Sequence, residues 1–236
     1  MVPVIDTETA VLAANMPLAF IQDAGSYILV ALLSLEPSRN PFLAPNNQWI
    51  DRYVPLCLRV HPFRMVYSAG SDKAVLCIDE DSGLIGEAGA GEPFFDADGD
   101  PSEAISAVVR LTAFLEQHRR TTNLATAALA DAGVLVPWDL KVGPAGAQKA
   151  VTGLYSADET AINGLDPGKF LQLRTANALA VAYAQMVSQV HVLRLLMLSP
   201  GPHQHSGDAT TAETLAGLES LDSIFEMSND EVVRFR

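Results

Sequence analysis

Apolar residues along this chain come in blocks, and the spacing within the blocks changes with position. In the N-terminal half the runs are short and end in turn formers, the mark of strands. Residues 16–35, MPLAFIQDAGSYILVALLSL, read as a hairpin with Phe20–Ile21 and Tyr27–Leu35 as apolar runs and Asp23-Ala24-Gly25-Ser26 as the turn. From Glu36 to Asn47 the prolines at 37, 41 and 45 predict a loop. In WIDRYVPLCLRVHPF, residues 49–63, Pro55 and Pro62 bracket a short apolar segment, and on a strand Arg59 and His61 share a face. Arg64–Tyr67 and Ala74–Ile78 flank Ser68-Ala69-Gly70-Ser71-Asp72 as a second hairpin. Leu135–Val142 and Gln148–Tyr155 flank Gly143-Pro144-Ala145-Gly146 as a third.

Elsewhere the period lengthens to that of a helix. After the Asp98-Gly99 turn, Asp100 is placed to cap a helix with Pro101 at its first position and Glu103 at its third. Ile105, Val108, Val109, Leu111, Thr112 and Leu115 then recur with helical spacing, and Gly133 marks the end. Thr121-Thr122-Asn123 predicts a break within it. Ser156 is expected to cap a short helix with Asp158 and Glu159 in its first turn, and Asp166-Pro167 to open the last helical region. Asn177 divides a short helix from a long one, Ala178–Leu198, which Ser199-Pro200-Gly201-Pro202 stops. That long helix has the length of a membrane span. Gln185, Ser188, Gln189, His191 and Arg194 would be costly in lipid, so membrane insertion is not expected. Tyr183, Met186, Val187, Val190, Leu193 and Met197 instead form one apolar stripe, read as buried or partner-facing. The fold class expected is α+β, with antiparallel β-hairpins packed against two long helical regions in a single domain, residues 1–198. Residues 199–236 are expected to be a flexible acidic tail in which SLDSIFEMSNDEVVRF could dock as a strand.

Composition sharpens this picture in two ways. Apolar residues make up 49% and charged residues 18%, so either the core is large or a partner covers apolar surface. The balance of 15 basic against 28 acidic residues, net −13, excludes an electrostatic footprint for nucleic acid and favours basic partners or cations. Cys57 and Cys77 are expected to be reduced, mostly buried thiols on neighbouring strands, because MVPVIDTETA lacks the basic start of a signal peptide. That reasoning predicts a cytoplasmic location.

Charge is concentrated in LCIDEDSGLIGEAGAGEPFFDADGDPSE, residues 76–103. From Ala74 to Val109 there are nine carboxylates and no Lys, Arg or His. This block, together with YVPLCLRVHPF, VPWDLKV, GLYSADETAINGL and LRTANALAVAYAQMVSQVHVLRLL, resembles the SapC-like family, the surface-layer-associated group of Gram-negative bacteria, over residues 2–198. The resemblance implies a link to surface-layer export or outer-membrane nutrient uptake. It supplies no catalytic residues. His61 stands where the family tends to an aromatic, and Asn177 where it often has glycine.

Within the acidic block, Asp79 and Asp81 could converge on a divalent cation or act as acid and base; the plainer reading is a solvated strand end. Asp96-Ala97-Asp98-Gly99-Asp100 starts like a calcium loop but has Pro101 and Ala107 where the loop needs glycine and glutamate, so a turn and helix cap suffice. His203, His205 and Asp208 could take a metal or simply be exposed. Arg59, His61, His118, Arg119 and Arg120 either neutralise the acidic block within the fold or form an anion site. Phe94 and Phe95 are expected to anchor the block, and its glycines to make it mobile. No phosphate loop, nucleophile elbow or dinucleotide fingerprint is present. The expectation is a non-catalytic adaptor for a protein or peptide partner, with no cofactor, as a homo-oligomer or a hetero-complex. Its binding residues would be Asp79, Glu80, Asp81, Arg59, His61, Arg119, Arg120 and Trp138. The alternative is an enzyme or obligate enzyme subunit with a carboxylate-lined, metal-dependent site at 79–81.

Overall fold

The computed structural model of the protein describes residues 1–35, 40–67, 74–86, 91–142 and 148–198. The predicted turns at 68–72 and 143–146 and everything expected of residues 199–236 lie outside them.

A two-residue turn builds the first hairpin. Ala24 and Gly25 hold φ of 46° and 81°, the left-handed pair that matches the twist of strands β2 (Leu18–Asp23) and β3 (Ser26–Ala31). The short β1 (Val2–Pro3) pairs with the outer edge of β3. A 3₁₀ turn at Asp6–Glu8 and helix α1 (Thr9–Ala13) link β1 to β2. The inner edge of β2 takes a partner from far along the chain, β9 (Leu154–Ala157), which also pairs with β6 (Leu135–Pro137). The result is a five-stranded antiparallel sheet in the order β1-β3-β2-β9-β6.

The arms of the third predicted hairpin pair with each other, but in two ladders with a break between them. Gly153, at φ 82°, and the Trp138-Asp139 step interrupt the pairing. β7 (Leu140–Val142) and β8 (Lys149–Val151) form a small sheet of their own, while β6 and β9 join the main one. The second hairpin, β4 (Phe63–Tyr67) with β5 (Ala74–Ile78), forms as expected. Residues 56–59 are a helical turn, α2 (Leu56–Arg59), followed by a cis His61–Pro62 peptide. Arg59 and His61 thus do not share a strand face.

Helix α3 runs unbroken from Glu103 to Asp131. The expected break at 121–123 is absent because Thr122 and Thr126 are buried and their hydroxyls are occupied: Thr122 donates to His118 O (2.7 Å), and Thr126 donates to Tyr27 O on β3 (2.8 Å). Ser102, not Asp100, is the N-cap, its Oγ accepting from Ile105 N at 3.3 Å. Asp100 instead closes the preceding turn through its backbone, Asp96 N donating to Asp100 O. The C-terminus is a Schellman motif: Gly133 at φ 72°, Val134 N bonded to Leu129 O, and Val134 and Leu129 both buried. Asp158, rather than Ser156, caps α4 (Glu159–Asn163), since Ser156 is buried in β9. Asp166 and Pro167 open α5 (Pro167–Thr175), and Asn177 at φ 57° separates it from α6 (Ala178–Ser188).

The long terminal helix is bent by 49° between α6 and α7 (His191–Leu198). Among the described residues no single helix is long and apolar enough to cross a membrane, though this bent pair together has the length and composition. The protein's fold is α+β, its sheet covered by α3 along β3 and by α6 along β2 and β9.

The packing of α6 is set by polar atoms. β2 and β9 are hydrogen-bonded partners at Phe20–Tyr155 and Ile21–Leu154, a register that, continued past Ala19 and Ser156, would set Leu18 opposite Ala157. The strands part there. The side-chain amide of Gln185 fills the gap: Ala157 N donates to its Oε1 (3.0 Å) and its Nε2 donates to Leu18 O (3.2 Å). Ser188 completes the set, its Oγ accepting from Leu18 N at 2.8 Å and donating to Gln185 O at 2.6 Å. Gln185 and Ser188 are both 0% exposed.

Gln185→Leu would leave the Ala157 N–H and the Leu18 carbonyl buried without partners, at a cost of roughly 1–3 kcal/mol each. Urea unfolding should show a clear drop in midpoint, and an unchanged midpoint would show that the amide is dispensable. By the same measurement Ser102→Ala should lose about 1 kcal/mol, and Asp100→Ala much less.

Candidate functional site

The acidic block is anchored at two points. Strand β5 delivers it: Asp79 N donates to Pro62 O at 2.9 Å, tying the end of β5 to the start of β4. Asp79 then caps a 3₁₀ turn, Glu80–Ser82, its Oδ1 accepting from Asp81 N at 3.2 Å. The chain is no longer a strand there, so Asp79 and Asp81 do not converge as alternating strand residues would. At the far end Phe94 packs edge-on against Phe63 of β4, ring centroids 6.1 Å apart. Phe95 is exposed, so only one of the two phenylalanines anchors the block. Between Phe94 and Ser102 the chain folds into a closed turn. Asp96 Oδ1 accepts from Asp98 N and Asp100 N, both at 3.0 Å, and Ser102 N donates to Phe94 O. One carboxylate oxygen of the calcium-like DADGD run is thereby occupied by its own backbone.

The cations expected to neutralise this block are engaged elsewhere. Arg119 makes a two-pronged contact with Glu116 (2.6 and 2.7 Å), and Arg120 reaches the same carboxylate at 3.5 Å while lying 4.6 Å over the Tyr67 ring. The Arg119 guanidinium holds the Glu116 carboxyl below its usual range, and Glu116 in turn raises Arg119. Arg59 lies 4.7 Å over the Tyr53 ring and donates to Val54 O. His118 meets Asp6 at 3.0 Å. His61 is exposed on the turn before β4. Trp138 is half-buried against the core, with its backbone N–H bonded to Leu154 O; it braces the step between β6 and β7. Among the described residues no ion pair reaches Asp79, Glu80, Asp81, Asp96, Asp98 or Asp100, and all six are exposed. Nor do three or more His, Cys, Asp or Glu side chains gather there as a metal would need. His203 and His205 lie outside the described residues.

Exposed apolar residues border these carboxylates. Val66 and Val75 face each other across the β4–β5 ladder and are exposed together with Leu84 and Phe95. The opposite hairpin face, including Phe63, Met65, Tyr67, Leu76 and Ile78, is half-buried, and β4 packs on α3. The exposed hairpin face thus carries the two valines and, between them and Asp79, the exposed Arg64 opposite Cys77.

The most buried charged group lies elsewhere, at a position the sequence reading did not single out. Glu8 is 2% exposed, yet its carboxylate accepts three hydrogen bonds: Ile5 N on Oε1 (3.2 Å), and Tyr53 Oη (3.0 Å) and Leu56 N (2.9 Å) on Oε2. Burial pushes the Tyr53 hydroxyl up to about 12, and the adjacent Glu8 charge adds to the shift. Burial and Glu8 likewise push the Cys57 thiol up to about 12. A thiol so raised is a poor nucleophile. The network ties the N-terminal turn to α2. A glutamate three residues after Ile5, the reciprocal half of a capping box, was its one sequence signal.

The two cysteines, unbridged, depart from expectation. Cys57 is half-buried on α2 and Cys77 is exposed on β5, so they are neither both buried nor on neighbouring strands. Native alkylation with iodoacetamide at pH 8 should label Cys77 and spare Cys57, with a second label only after unfolding. Equal native rates would show that Glu8 and burial do not hold the Cys57 thiol protonated.

A family model described as SapC matches residues 1–195. No curated protein and no solved structure matches the chain.

Proposed function

We propose that this chain, which belongs to the SapC family, is a non-catalytic binding or adaptor protein. It engages a protein or peptide partner in envelope biogenesis or outer-membrane nutrient uptake. The observation that supports this reading is the unneutralised acidic surface. Asp79, Glu80, Asp81, Asp96, Asp98 and Asp100 stand exposed while Arg59, Arg119 and Arg120 are committed to other groups. Grouped like charges cost stability, and such a cost is commonly retained where function requires it. The adjoining Val66, Val75, Leu84 and Phe95 add apolar area. Together these suit a basic segment with interspersed apolar side chains, held by charge at its rim and by apolar contacts within.

The alternative is a metal-dependent site at 79–81, where Asp79 Oδ1 already accepts from the Asp81 backbone. Metal analysis of the purified protein separates the two readings: a stoichiometric divalent ion would overturn the adaptor.

Replacing Asp79, Glu80 and Asp81 by Asn, Gln and Asn keeps shape and removes charge. The variant should unfold at an unchanged or higher temperature and recover much less partner when purified from its own cells, with the remaining binding less salt-sensitive. Full partner recovery would reduce the block to a solvated face.

A further inference from the structure

Hairpin β4–β5 is a sheet of its own, so each of its strands is paired along one edge only. The parity of the ladder tells which backbone groups that pairing uses. Asp79 N donates to Pro62 O, which makes Pro62–Asp79 a hydrogen-bonded pair. In an antiparallel ladder such pairs alternate with non-bonded ones. Arg64–Cys77 and Val66–Val75 are then bonded pairs, while Phe63–Ile78 and Met65–Leu76 are not. The N–H and C=O groups of Leu76 and Ile78 therefore point away from β4, along the outer edge of β5. Among the described residues no hydrogen bond reaches them.

This edge differs from every other sheet edge among the described residues. Proteins blunt exposed edges with proline or charge, because a bare edge pairs with other chains. The main sheet ends in β1 with Pro3 and in β6 with Pro137. In the small sheet β7 carries Lys141 and β8 carries Lys149. β4 carries Arg64 and packs on α3. Only β5, Ala74–Ile78, has neither proline nor charge within it.

Backbone geometry and charge together identify what fits there. Unpaired N–H and C=O groups at the repeat of a strand are matched by another extended chain, and not by the side of a helix or by lipid. Side chains of an added strand alternate, so every second one lies beside the exposed Val75 and Cys77. Where that strand runs past Ile78 it meets Asp79, Glu80 and Asp81, which are exposed and reached by no ion pair among the described residues. Arg64 starts from β4, one strand in from the open edge. The matching segment has apolar residues at alternate positions and Lys or Arg at the end beside Asp79. A second copy of this chain, at net −13, brings the wrong charge.

We infer that the outer edge of β5 is a strand-addition site, which takes an extended basic peptide of this kind as the third strand of the β4–β5 sheet. The inference rests on the binding reading above and adds to it the mode and register of binding.

The probe is a synthetic peptide of two lysines followed by alternating valine and threonine, titrated to millimolar concentration against the full chain. By NMR, amide exchange of Leu76 and Ile78 should slow at least about tenfold on binding. Val75 and Cys77, already bonded to β4, should change little. Two further peptides carry N-methyl groups on one or the other set of alternate residues, with charge intact. Only one of them should lose binding, by at least about tenfold, because only one edge of the added strand faces β5. Leu76→Pro, which removes an outward donor, should bind the parent peptide at least about tenfold more weakly than Leu76→Ala, which keeps it. The exchange measurement on the unaltered chain decides the matter even where Leu76→Pro does not fold. A peptide that binds while Leu76 and Ile78 exchange as before overturns strand addition and leaves the acidic block as a binding surface. So does equal binding of the two methylated peptides. Edge protection undiminished by Asp79→Asn, Glu80→Gln and Asp81→Asn together supports strand addition and overturns the role given to the acidic block. Absence of peptide binding overturns the inference, as does a dimeric free chain in which both amides are already slow.

Discussion

The architecture depends on one buried amide. Where β2 and β9 diverge, Leu18 and Ala157 would each bury backbone polar groups that the sheet can no longer pair. Gln185 and Ser188 supply the missing partners from α6. Orphaned groups of this kind are rare in proteins because each costs as much as a lost hydrogen bond. Once this pair is fixed inward, the rotation of α6 about its axis is fixed as well. The small residues Ala178, Val181 and Ala182 are then buried, and the larger Tyr183 and Val187 are carried to the outside. The apolar stripe of α6–α7 is therefore a consequence of satisfying the sheet.

A second buried group organises the opposite end of the chain's N-terminal segment. Glu8 collects Ile5 N, Leu56 N and the Tyr53 hydroxyl, so a loop with little regular structure is held against α1. The stacked pair Phe42 and Trp49, 5.4 Å apart, lies under Arg194, which in turn pairs with Asp51. Residues 40–56 are thus fastened to the first helix and to the last. The carboxylates that hold this framework, Glu8 and Asp51, are hydrogen-bonded and buried. The described carboxylates of the 79–100 block are exposed, and where they bond it is to their own backbone. The same chemical group serves as a structural tie in one place and stays exposed in the other, according to burial.

Much of the candidate site was readable from the sequence, though not its wiring. The nine clustered carboxylates, the β4–β5 hairpin that delivers them and the turn at Asp98-Gly99 follow from residue type and spacing. That Arg119 and Arg120 serve Glu116, and that Arg59 serves Tyr53, does not. Arginine carries its charge far on a flexible stem, and which carboxylate or ring it meets depends on neighbours set by the fold. Glu8 was missed because a glutamate near a chain start ordinarily reads as solvated, and only a partner 45 or 48 residues away makes it internal.

What the sequence determined by itself is local. The Ala24-Gly25 turn, the Asp166-Pro167 start, the Asn177 division and the Gly133 stop are settled by conformational preferences within a few residues, and these fix the number and kind of most elements. Tertiary structure alone decided three things. It moved the α3 cap from Asp100 to Ser102, because the Phe94–Ser102 turn used Asp100 first. It put a one-residue register slip into the third hairpin, where the Trp138-Asp139 step and Gly153 part β7–β8 from β6–β9, and it set β9 against β2. And it turned α6 inside out, because Gln185 answers to Leu18, 167 residues away. Hydrophobic periodicity locates the stripe on a helix. Which side of the helix faces inward depends on the buried polar groups that must be paired, and those belong to distant strands.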